Sequence, residues 1–594
     1  MAGSGVREQT SDHGRDGLPA QKEPLVLRLR GSQAEMGRQF GTYCSEAGRH
    51  EAALQLYADR PTMAARMVAA GLPFAVRHGV ERAADAVFAV QRRRLHRERT
   101  RRFPEFVART EAGFEPLGRS DADVDAVFVM DVLQNAVGTI GRTSMFHHAE
   151  VAAAAMCSSV AVWGGATTSG DLLHARNFDF PGATIWDLAP TIVFCEPVDG
   201  LRYGFVTTNG VDAPGITCWN EAGLTLTVHT RFHRDVRWSG PSVIDLGHEI
   251  IRSSDTTEAA VACARRLGAS SSWGLLISSA AERSAVVVEL AGPHVALTEP
   301  GPAEHLSCTN RYLDAGLRRR EVTTSHAFAL DSDNRFAQLE AFVAKQSGGI
   351  DADALEDLLG DYGAPGLVDR SDDVVRLSGT SVVSPVSVAS IVADPAEAVM
   401  RVSVGRAPSG LGPYLRVPWS WDGEVGIVAE PGELGPRRGR THRGEPVPDH
   451  HVDVAHRFSS VVQGALDRDA PHVVRAGFVD LCDRVPTEPG FHAMVAYLAV
   501  LDGDLDDART HLDVALGLEG TPVVRAQLLL TRSRVHAAAG RPDAATADRT
   551  ELASITEPAA AAMRAAAAAE VTRPLSLRRL RLMSPDVMLL DLHA

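Results

Sequence analysis

The stretch that decides the fold runs from Met156 to Phe180 and reads MCSSVAVWGGATTSGDLLHARNFDF. Two segments with strand-like alternation flank a polar segment bounded by glycines, which predicts two antiparallel strands joined by a turn. Cys157 then lies at the start of the first strand, and Arg176, Asn177 and Asp179 lie on the second. Because strand side chains alternate between faces, we expect Asn177 and Asp179 to share one face and Arg176 to project from the other.

Beyond this hairpin the chain keeps the same character. Segments rich in β-branched residues and bounded by glycine or proline predict strands at 157–163, 172–180, 191–198, 203–208 and 224–230. The remaining patterns predict helices near 241–267 and 325–361, a strand pair around the 281–284 turn, and a second pair at 387–393 and 399–404. Runs of strands, then helices, then strands predict an α+β fold.

Composition divides the chain into five parts. Residues 1–24 are charged and glycine-rich and lack the apolar centre of a signal peptide, which predicts a disordered tail. Residues 25–156 are mainly helical in pattern, and 157–405 form the predicted α+β domain. Residues 406–450 are rich in Gly, Pro and Arg, which is typical of a linker, and residues 451–594 predict a helical domain.

The helical C-terminal region contains a short internal repeat. Residues 503–508 (GDLDDA) and 540–545 (GRPDAA) lie 37 positions apart. This spacing is close to the ~34 residues of a tetratricopeptide unit, in which small residues let paired helices approach. The second copy lacks the small residue that Ala515 provides in the first. The repeat therefore favours a tetratricopeptide-like domain of helical hairpins that docks a protein partner, and a full peptide-binding solenoid is the alternative.

The charge balance excludes several classes of partner. The 594 residues carry a formal net charge of -15, which disfavours attraction to nucleic acid. The basic stretch at 92–102 lacks interleaved aromatic residues and is interpreted as the solvated face of a helix. No run of about 18 apolar residues occurs, which argues against a membrane-spanning helix. We therefore predict a cytoplasmic protein with no nucleic-acid or membrane partner.

The seven cysteines are scattered along the chain and form no close pairs. Neither a disulfide framework nor a zinc knuckle is indicated by this spacing. The sequence also lacks a phosphate-binding glycine loop and a dinucleotide fingerprint. We therefore expect no cofactor and no metal site, and we expect most of the cysteines to be buried thiols.

Several separated blocks resemble the peptidase C45 family, the relatives of penicillin acyl-coenzyme A acyltransferase within the cysteine-type N-terminal-nucleophile hydrolases. Their order and spacing carry the resemblance, which runs from about Leu25 to Val404. The blocks are, in chain order, Gly31–Gly37 with Gly41, Cys157–Ser159 with Trp163, His174–Asp179, Trp219–Leu224, Thr309–Tyr312 and Ser390–Pro395.

The resemblance implies an αββα fold, with two stacked antiparallel sheets and a helical pro-segment before the nucleophile. It also implies autocatalytic cleavage between Met156 and Cys157. This chemistry is physically sensible, because cleavage frees an α-amino group whose pKa of about 7.7 to 8.0 suits a general base near neutrality. Cys157 would then supply both the nucleophile and the base.

The resemblance also implies roles for individual residues. Asp179 would fix and polarise the α-amino group, and Arg176 would stabilise the thiolate and orient Asp179. Asn310 would donate its amide hydrogen to the tetrahedral oxyanion, a contribution of about 3 kcal/mol.

A second oxyanion donor is expected on the strand after Asn220. Relatives often carry an asparagine there, whereas this chain offers His229 and Thr230. These three residues are therefore candidates for substrate binding or for the second half of the oxyanion hole.

The predicted function is cleavage or transfer of the acyl group of an N-acyl amide, a peptide-like amide or an acyl thioester through a Cys157 acyl-enzyme. The alternatives are a non-catalytic scaffold with an interacting helical domain, and a cysteine peptidase that pairs Cys157 with His229. Cys308 is the rival nucleophile. Taken alone, Arg176 and Asp179 are also compatible with a structural ion pair, and Asn310 with a helix cap.

Overall fold

The structure is a computed structural model. It describes residues 21–49, 86, 89–90, 93–118, 129–140, 156–180, 182–183, 185–208, 210–322, 326–361, 381–440, 445–466, 470–518, 522–572, 575–581, 584–586 and 590–593. Of the predicted tail at 1–24, residues 1–20 lie outside the described residues. The alanine run at 152–155, before Met156, also lies outside them.

The strands are β1 (Leu25–Gly31), β2 (Met156–Val162), β3 (Leu173–Asp179), β4 (Pro190–Pro197), β5 (Tyr203–Thr208), β6 (Thr217–Asn220), β7 (Leu224–Thr230), β8 (Trp273–Ser279), β9 (Ser284–Ala291), β10 (His294–Thr298), β11 (His305–Cys308), β12 (Ser387–Asp394), β13 (Val399–Ser403), β14 (Pro413–Pro418), β15 (Gly426–Ile427), β16 (Glu433–Arg437), β17 (Ser584–Asp586) and β18 (Asp591–His593). The α-helices are α1 (Gln33–Glu46), α2 (Pro104–Phe114), α3 (Val129–Ile140), α4 (Val243–Ser253), α5 (Thr257–Leu267), α6 (Ala315–Arg318), α7 (His326–Gln346), α8 (Ala352–Leu359), α9 (Asp449–Leu466), α10 (Pro471–Arg484), α11 (Pro489–Asp502), α12 (Leu505–Leu518), α13 (Pro522–Ala538), α14 (Pro542–Ser554), α15 (Ala561–Thr572) and α16 (Leu577–Leu580).

Two large sheets organise the described residues. The first sheet has nine strands in the order β10-β9-β8-β7-β6-β5-β4-β1-β15, and the second has seven in the order β11-β2-β3-β12-β13-β14-β16. Neighbouring strands are antiparallel except for β1 and β4, which run parallel. The predicted hairpin is present as β2 and β3 within the second sheet.

Apolar side chains join these elements into four layers, helix, sheet, sheet and helix. Residues of α4 and α5, such as Leu246 and Ala264, pack on the outer face of the nine-stranded sheet. Residues of α7 and α8, such as Leu339 and Leu355, pack on the outer face of the seven-stranded sheet. The inner faces of the two sheets meet in shared apolar clusters, one of which joins Phe194 of β4 to Met400 of β13 and Leu415 of β14. Each sheet therefore has one face buried against helices and the other buried against the second sheet.

Two glycines near the start of the chain fix how the first helices pack. A Cβ atom at Gly37 of α1 would collide with the carbonyl oxygen of Arg109, and one at Gly41 would collide with that of Gly113, both on α2. The two backbones therefore approach closely only because these positions lack a side chain. The strand before α1 pairs with β4, so the N-terminal segment contributes to the nine-stranded sheet as well as to the helical layer.

The expectation of a linker at 406–450 is wrong. Within this stretch β14 and β16 extend the seven-stranded sheet, and β15 pairs with β1 at the edge of the other sheet. Tyr414 and Val417 of β14 are buried, with 0% and 1% of their surface exposed. Composition misled because the apolar residues alternate along short strands and are outnumbered by the glycine, proline and arginine of the turns.

Most of the described residues from Asp449 onward lie in helices, and the short strands β17 and β18 pair near the end. The repeated segments begin the second helices of two hairpins, α11 with α12 and α13 with α14. Ala508 and Ala545 occupy equivalent positions and are both buried. The comparison with tetratricopeptide units and the protein partner stay predictions.

The C-terminal helices also contact the two-sheet body. An apolar cluster that includes Phe458 of α9 continues to Met156 and Val386, and Gln463 of α9 accepts a hydrogen bond from the backbone N–H of Gly182. Among the described residues, no helix is both long and apolar enough to cross a membrane.

Candidate active site

Cys157 lies one residue inside β2, with its side chain on the inner face of the seven-stranded sheet. The antiparallel register sets Cys157 opposite Phe178 and Ser159 opposite Arg176. Directly opposed residues project to the same face, so Arg176 shares a face with Cys157. Asp179 is opposite Met156 and therefore projects to the other face. The strand alternation expected from the sequence is kept.

An oriented guanidinium stands beside the thiol. Nη2 of Arg176 lies 3.4 Å from Sγ of Cys157 and also donates to the carbonyl oxygen of Val228 at 2.8 Å. Nη1 of Arg176 donates to the carbonyl oxygen of Ile216 at 2.6 Å and to the Thr217 hydroxyl. These hydrogen bonds go to acceptors on β6, on β7 and at the residue before β6. They fix the position of the guanidinium and direct its Nη2 toward the sulfur.

Burial nevertheless keeps the thiol protonated in the intact chain. Cys157 is 2% exposed, and this burial raises the pKa of its thiol above the ordinary value. The Arg176 charge opposes the effect of burial on the pKa, and the Asp179 carboxylate adds to it. Arginine alone therefore does not generate a thiolate here, and a base is needed.

Asp179 offers a buried carboxylate oxygen. The hydroxyl of Ser387 donates to its Oδ1 at 2.5 Å, whereas its Oδ2 has no hydrogen-bond partner among the described residues. Burial raises the pKa of the Asp179 carboxyl to about 7, against the opposing influence of Arg335 and Ser387. An unpaired buried acceptor is costly, so this oxygen is suited to a donor that arrives later.

Asn310 contacts the backbone nitrogen that would become the new amino terminus. Extending the register of β11 and β2 by two residues sets Asn310 opposite Cys157. Its Oδ1 accepts from the Cys157 N–H at 2.9 Å, and its Nδ2 donates to the carbonyl oxygen of Thr230 at 3.2 Å. A side-chain amide has two N–H groups, so this contact accounts for one of them.

Arg335 is a site residue that the sequence reasoning missed. It lies on α7, is 1% exposed, and its Nη1 donates to the Cys157 carbonyl oxygen at 2.7 Å and to the Ser158 hydroxyl at 2.9 Å. Its Nη2 donates to Asn310 Oδ1 at 3.0 Å, and its Nε pairs with Asp331 at 2.8 Å. The sequence shows only an acid and a base four residues apart on a helix, which usually indicates a solvated pair.

The three residues proposed for the second oxyanion donor have different surroundings. Asn220 is committed to structure, since its Nδ2 donates to the carbonyls of Ile251 and Ser254 and its Oδ1 accepts from two backbone N–H groups in the following turn. Thr230 contributes its carbonyl oxygen to Asn310.

His229 is fully buried near the site. Burial, followed by the charges of Arg176 and Arg231, lowers the pKa of its imidazole well below the ordinary value. The ring is therefore neutral near pH 7. Its Nδ1 has no hydrogen-bond partner among the described residues, and its Nε2 lies 3.5 Å from the Thr227 hydroxyl.

Cys308, the rival nucleophile, also lies beside an arginine. Nη2 of Arg231 is 3.2 Å from its sulfur, and burial raises the pKa of its thiol to about 11. Arg231 is itself paired with Glu289 at 3.0 Å, and both side chains are 0% exposed. The charge of Arg231 is therefore largely offset by a carboxylate before it can act on the sulfur.

The Cys157 thiol faces an apolar, aromatic environment. Phe178, Phe180 and Trp186 contact one another with ring centroids 5.1 to 5.9 Å apart, and the cluster that contains them includes Cys157. Met156, on the other side of the peptide bond, belongs to a different apolar cluster. The residues before and after the expected cleavage point are therefore buried in separate surroundings.

Comparisons with known proteins give only distant likenesses. No protein-family model matches this chain, and no curated protein matches it. Among solved structures, an N-acylethanolamine-hydrolyzing acid amidase ortholog from Caenorhabditis elegans is 13% identical, with a TM-score of 0.27 over 40% of this chain and 93% of its own. Penicillin V acylase from Agrobacterium tumefaciens is 12% identical, with a TM-score of 0.27 over 44% of this chain and 86% of its own. Likenesses this weak decide neither the fold nor the activity.

Proposed function

We propose that this chain is a self-processing cysteine amidohydrolase or acyltransferase of the N-terminal-nucleophile type, similar to the peptidase C45 family. The observation that carries the proposal is the grouping around one backbone unit. Asn310 holds the nitrogen of Cys157, Arg335 holds its carbonyl oxygen, and Arg176 lies beside its sulfur. The nitrogen, the carbonyl oxygen and the sulfur of Cys157 are thus each contacted by a polar side chain. Such contacts suit a nucleophile whose own nitrogen takes part in the reaction.

Self-cleavage would complete the site. The Cys157 thiol attacks the Met156 carbonyl carbon, and a thioester replaces the peptide bond as the thiol proton passes to the Cys157 nitrogen, which becomes a free amine. Water then hydrolyses the thioester, which releases Met156 as a carboxylate and restores the Cys157 thiol. Met156 is opposite Asp179 in the sheet, so its departure opens space beside the unpaired Asp179 Oδ2. The new ammonium group then gives that oxygen its donor, and its charge lowers the pKa of Asp179.

Turnover would use the same atoms. The amine of Cys157 takes the thiol proton, the sulfur bonds to the substrate carbonyl carbon, and the resulting oxyanion is stabilised by N–H donors, including the second N–H of Asn310. Collapse of this intermediate breaks the carbon–nitrogen bond and passes the proton to the departing amine. Water, or an acceptor amine, then attacks the acyl-enzyme and restores the thiol.

The substrate would carry an apolar acyl group. The aromatic cluster of Phe178, Phe180 and Trp186 adjoins the sulfur, and burying an apolar group there is favourable by about 25 cal/mol per Å². This surface offers few polar groups. The hydrogen bonds between protein and substrate would therefore be made at the substrate's amide group and not along its acyl chain. We therefore propose linear amides of aryl or alkyl acids as the substrate class.

Acyl-enzyme trapping tests this proposal. Purified protein is incubated with a panel of N-acyl amino acids, β-lactams and acyl-coenzyme A thioesters, and the mass of each polypeptide is measured. We expect one acyl group on the fragment that begins at Cys157 in wild type and in Cys308→Ala, and none in Cys157→Ala. An acyl group on Cys308, or a single uncleaved chain with no acylation, would contradict the proposal and favour the scaffold interpretation.

A further inference from the structure

The C-terminal helices bring together three side chains that can ligate a metal. They are Cys482 near the end of α10, His492 in the first turn of α11 and His511 in the middle of α12. One ligand atom from each residue lies within 4.8 Å of the other two. No metal site is expected from the sequence, because closely spaced ligands are lacking: these three residues are 10 and 19 positions apart. The packing of three successive helices brings them together.

The outer neighbours of the two imidazoles indicate which nitrogens are available. Nε2 of His492 lies 3.3 Å from the carbonyl oxygen of Pro486. A carbonyl can only accept, so this nitrogen carries the proton and Nδ1 of His492 carries a lone pair. Nε2 of His511 lies 3.9 Å from a carboxylate oxygen of Asp507, which favours the same tautomer in His511.

The two lone-pair nitrogens face each other. Nδ1 of His492 and Nδ1 of His511 are 3.1 Å apart. Two lone pairs at this distance repel unless a proton or a cation lies between them. Two nitrogens bound to one Zn²⁺ at about 2.0 to 2.1 Å in tetrahedral geometry are about 3.3 Å apart, so the observed separation is close to that of a metal-bound pair.

The outer ring nitrogen of His492 has the kind of partner that metal-bound histidines usually have, and that of His511 faces a carboxylate. Such histidines donate their second N–H to a carbonyl or carboxylate, which fixes the tautomer and the orientation of the ring. Pro486 provides such an acceptor for His492 at 3.3 Å, and the Asp507 carboxylate lies near Nε2 of His511 at 3.9 Å, beyond direct hydrogen-bond distance. The third residue, Cys482, is 6% exposed, and the His511 side chain is 22% exposed, so the cluster is shielded on one side and reachable from the other.

We propose that Cys482, His492 and His511 bind one Zn²⁺ ion. Two neutral imidazoles and one thiolate supply three ligands, and water completes the tetrahedron. Binding displaces the thiol proton of Cys482 to solvent. The ion links α10, α11 and α12, so it stabilises the C-terminal helical region independently of the chemistry at Cys157.

Cobalt titration of the full-length protein tests this site, with the Cys157→Ala background removing the candidate catalytic thiol. After dialysis against a chelator, Co²⁺ alone is added and the absorption spectrum is recorded. We expect one equivalent to bind with a thiolate-to-cobalt charge-transfer band and tetrahedral visible bands, both removed by one equivalent of Zn²⁺. Cys482→Ser should abolish the charge-transfer band, and His511→Gln should weaken binding at least tenfold.

Matched controls keep the test decisive. Cys263→Ser and His536→Gln change a cysteine and a histidine outside the cluster and should titrate like the background protein. Circular dichroism checks that each variant is folded, and the partly exposed His511 provides a second test if Cys482→Ser does not fold. Absence of stoichiometric binding, binding without the thiolate band, or binding unchanged in His511→Gln would overturn the proposal and leave a proton shared between the imidazoles.

Discussion

Two buried cysteines lie close together in this fold, and each lies beside an arginine. The two sites differ in the groups that surround the cysteine and its arginine. Cys157 has Arg176 at 3.4 Å, and Cys308 has Arg231 at 3.2 Å. Arg231 is neutralised by a buried ion pair with Glu289, whereas Arg176 is held by neutral carbonyl and hydroxyl groups. A cation beside a thiol is therefore not enough to identify a nucleophile.

The second difference concerns the base. Cys157 lies on the strand next to Asp179, which has one unpaired oxygen, and its own nitrogen is bound by Asn310. The buried carboxylate near Cys308 is Glu289, which accepts from the backbone nitrogens of Leu313 and Asp314 as well as from Arg231. Of the two cysteine sites, Cys157 is the one with a neighbouring buried carboxylate oxygen that lacks a hydrogen-bond donor in the described residues. The comparison predicts a reactive thiol at Cys157 and a structural one at Cys308.

The largest expected effect comes from removing the nucleophile. Cys157→Ala should abolish both self-cleavage and amide turnover, with a loss of activity on the order of 10⁴-fold or more. Cys308→Ala should retain both, because its thiol takes no part in the reaction. A denaturing gel and an assay of released amine measure the two outcomes. Equal losses in the two variants would break the comparison.

Removal of the carboxylate should produce the next largest effect. Asp179→Asn keeps the volume but cannot balance the charge of a new ammonium group, so kcat/KM should fall by about 10²- to 10⁴-fold. The acidic limb of the pH profile of kcat/KM should also move to lower pH, because the Cys157 amine loses the carboxylate that raises its pKa, a change that a purely structural role would not produce. Wild-type activity in Asp179→Asn at every pH would contradict the assignment.

A smaller effect is expected at Asn310. Asn310→Ala removes an oxyanion donor and the acceptor of the Cys157 nitrogen, and should lower kcat by about 10²- to 10³-fold. If Asn310 is only a helix cap, KM and kcat would stay near wild-type values in the folded variant. Steady-state kinetics on the cleaved protein separates these outcomes.

Glu289→Gln tests the structural role that the comparison gives to the Cys308 site. It leaves Arg231 buried without its carboxylate, which costs about 3 to 5 kcal/mol in the free energy of unfolding. The activity of the folded fraction should stay within a few-fold of wild type, because Glu289 serves the structural thiol. Urea denaturation and an assay per folded molecule provide the two readings. A severe loss of activity with unchanged stability would reverse the roles of the two cysteines.

The smallest effect is a pH dependence of stability. The pKa of Asp179 is raised in the folded chain to about 7 from an ordinary 3.8. Its contribution to stability is therefore full below about pH 4 and is lost as the pH rises through about 7. In the uncleaved Cys157→Ala background, Asp179→Asn should remove roughly 2 to 4 kcal/mol of this decline. Parallel stability curves for the two proteins would contradict the raised pKa.

The sequence predicts the hairpin well because its cues are local. Alternation in β2 and β3, and the glycines between them, are enough to place Arg176 and Asp179 on opposite faces, whereas the face of Cys157 follows from the pairing register. The contact between Asn310 and Cys157 depends on the pairing of β11 with β2, which no local pattern specifies. Arg335 reaches the site across a layer from α7, so its sequence neighbours give no sign of its role.

The strands at 413–437 and the grouping of Cys482, His492 and His511 were missed for a related reason. Short strands with few apolar residues resemble linkers until their sheet partners are known. Ligands on three helices have no characteristic spacing, in contrast to those of a knuckle. In both cases the deciding contacts are long-range.

The most direct test of the central claim is amino-terminal sequencing of every polypeptide in a purified, active preparation. The account predicts two fragments of roughly 156 and 438 residues, together making the 594 of the chain, with Cys157 as the first residue of the larger one. Cys157→Ala should give a single intact chain. Finding only the original amino terminus in wild-type protein that still turns over an amide would contradict the account.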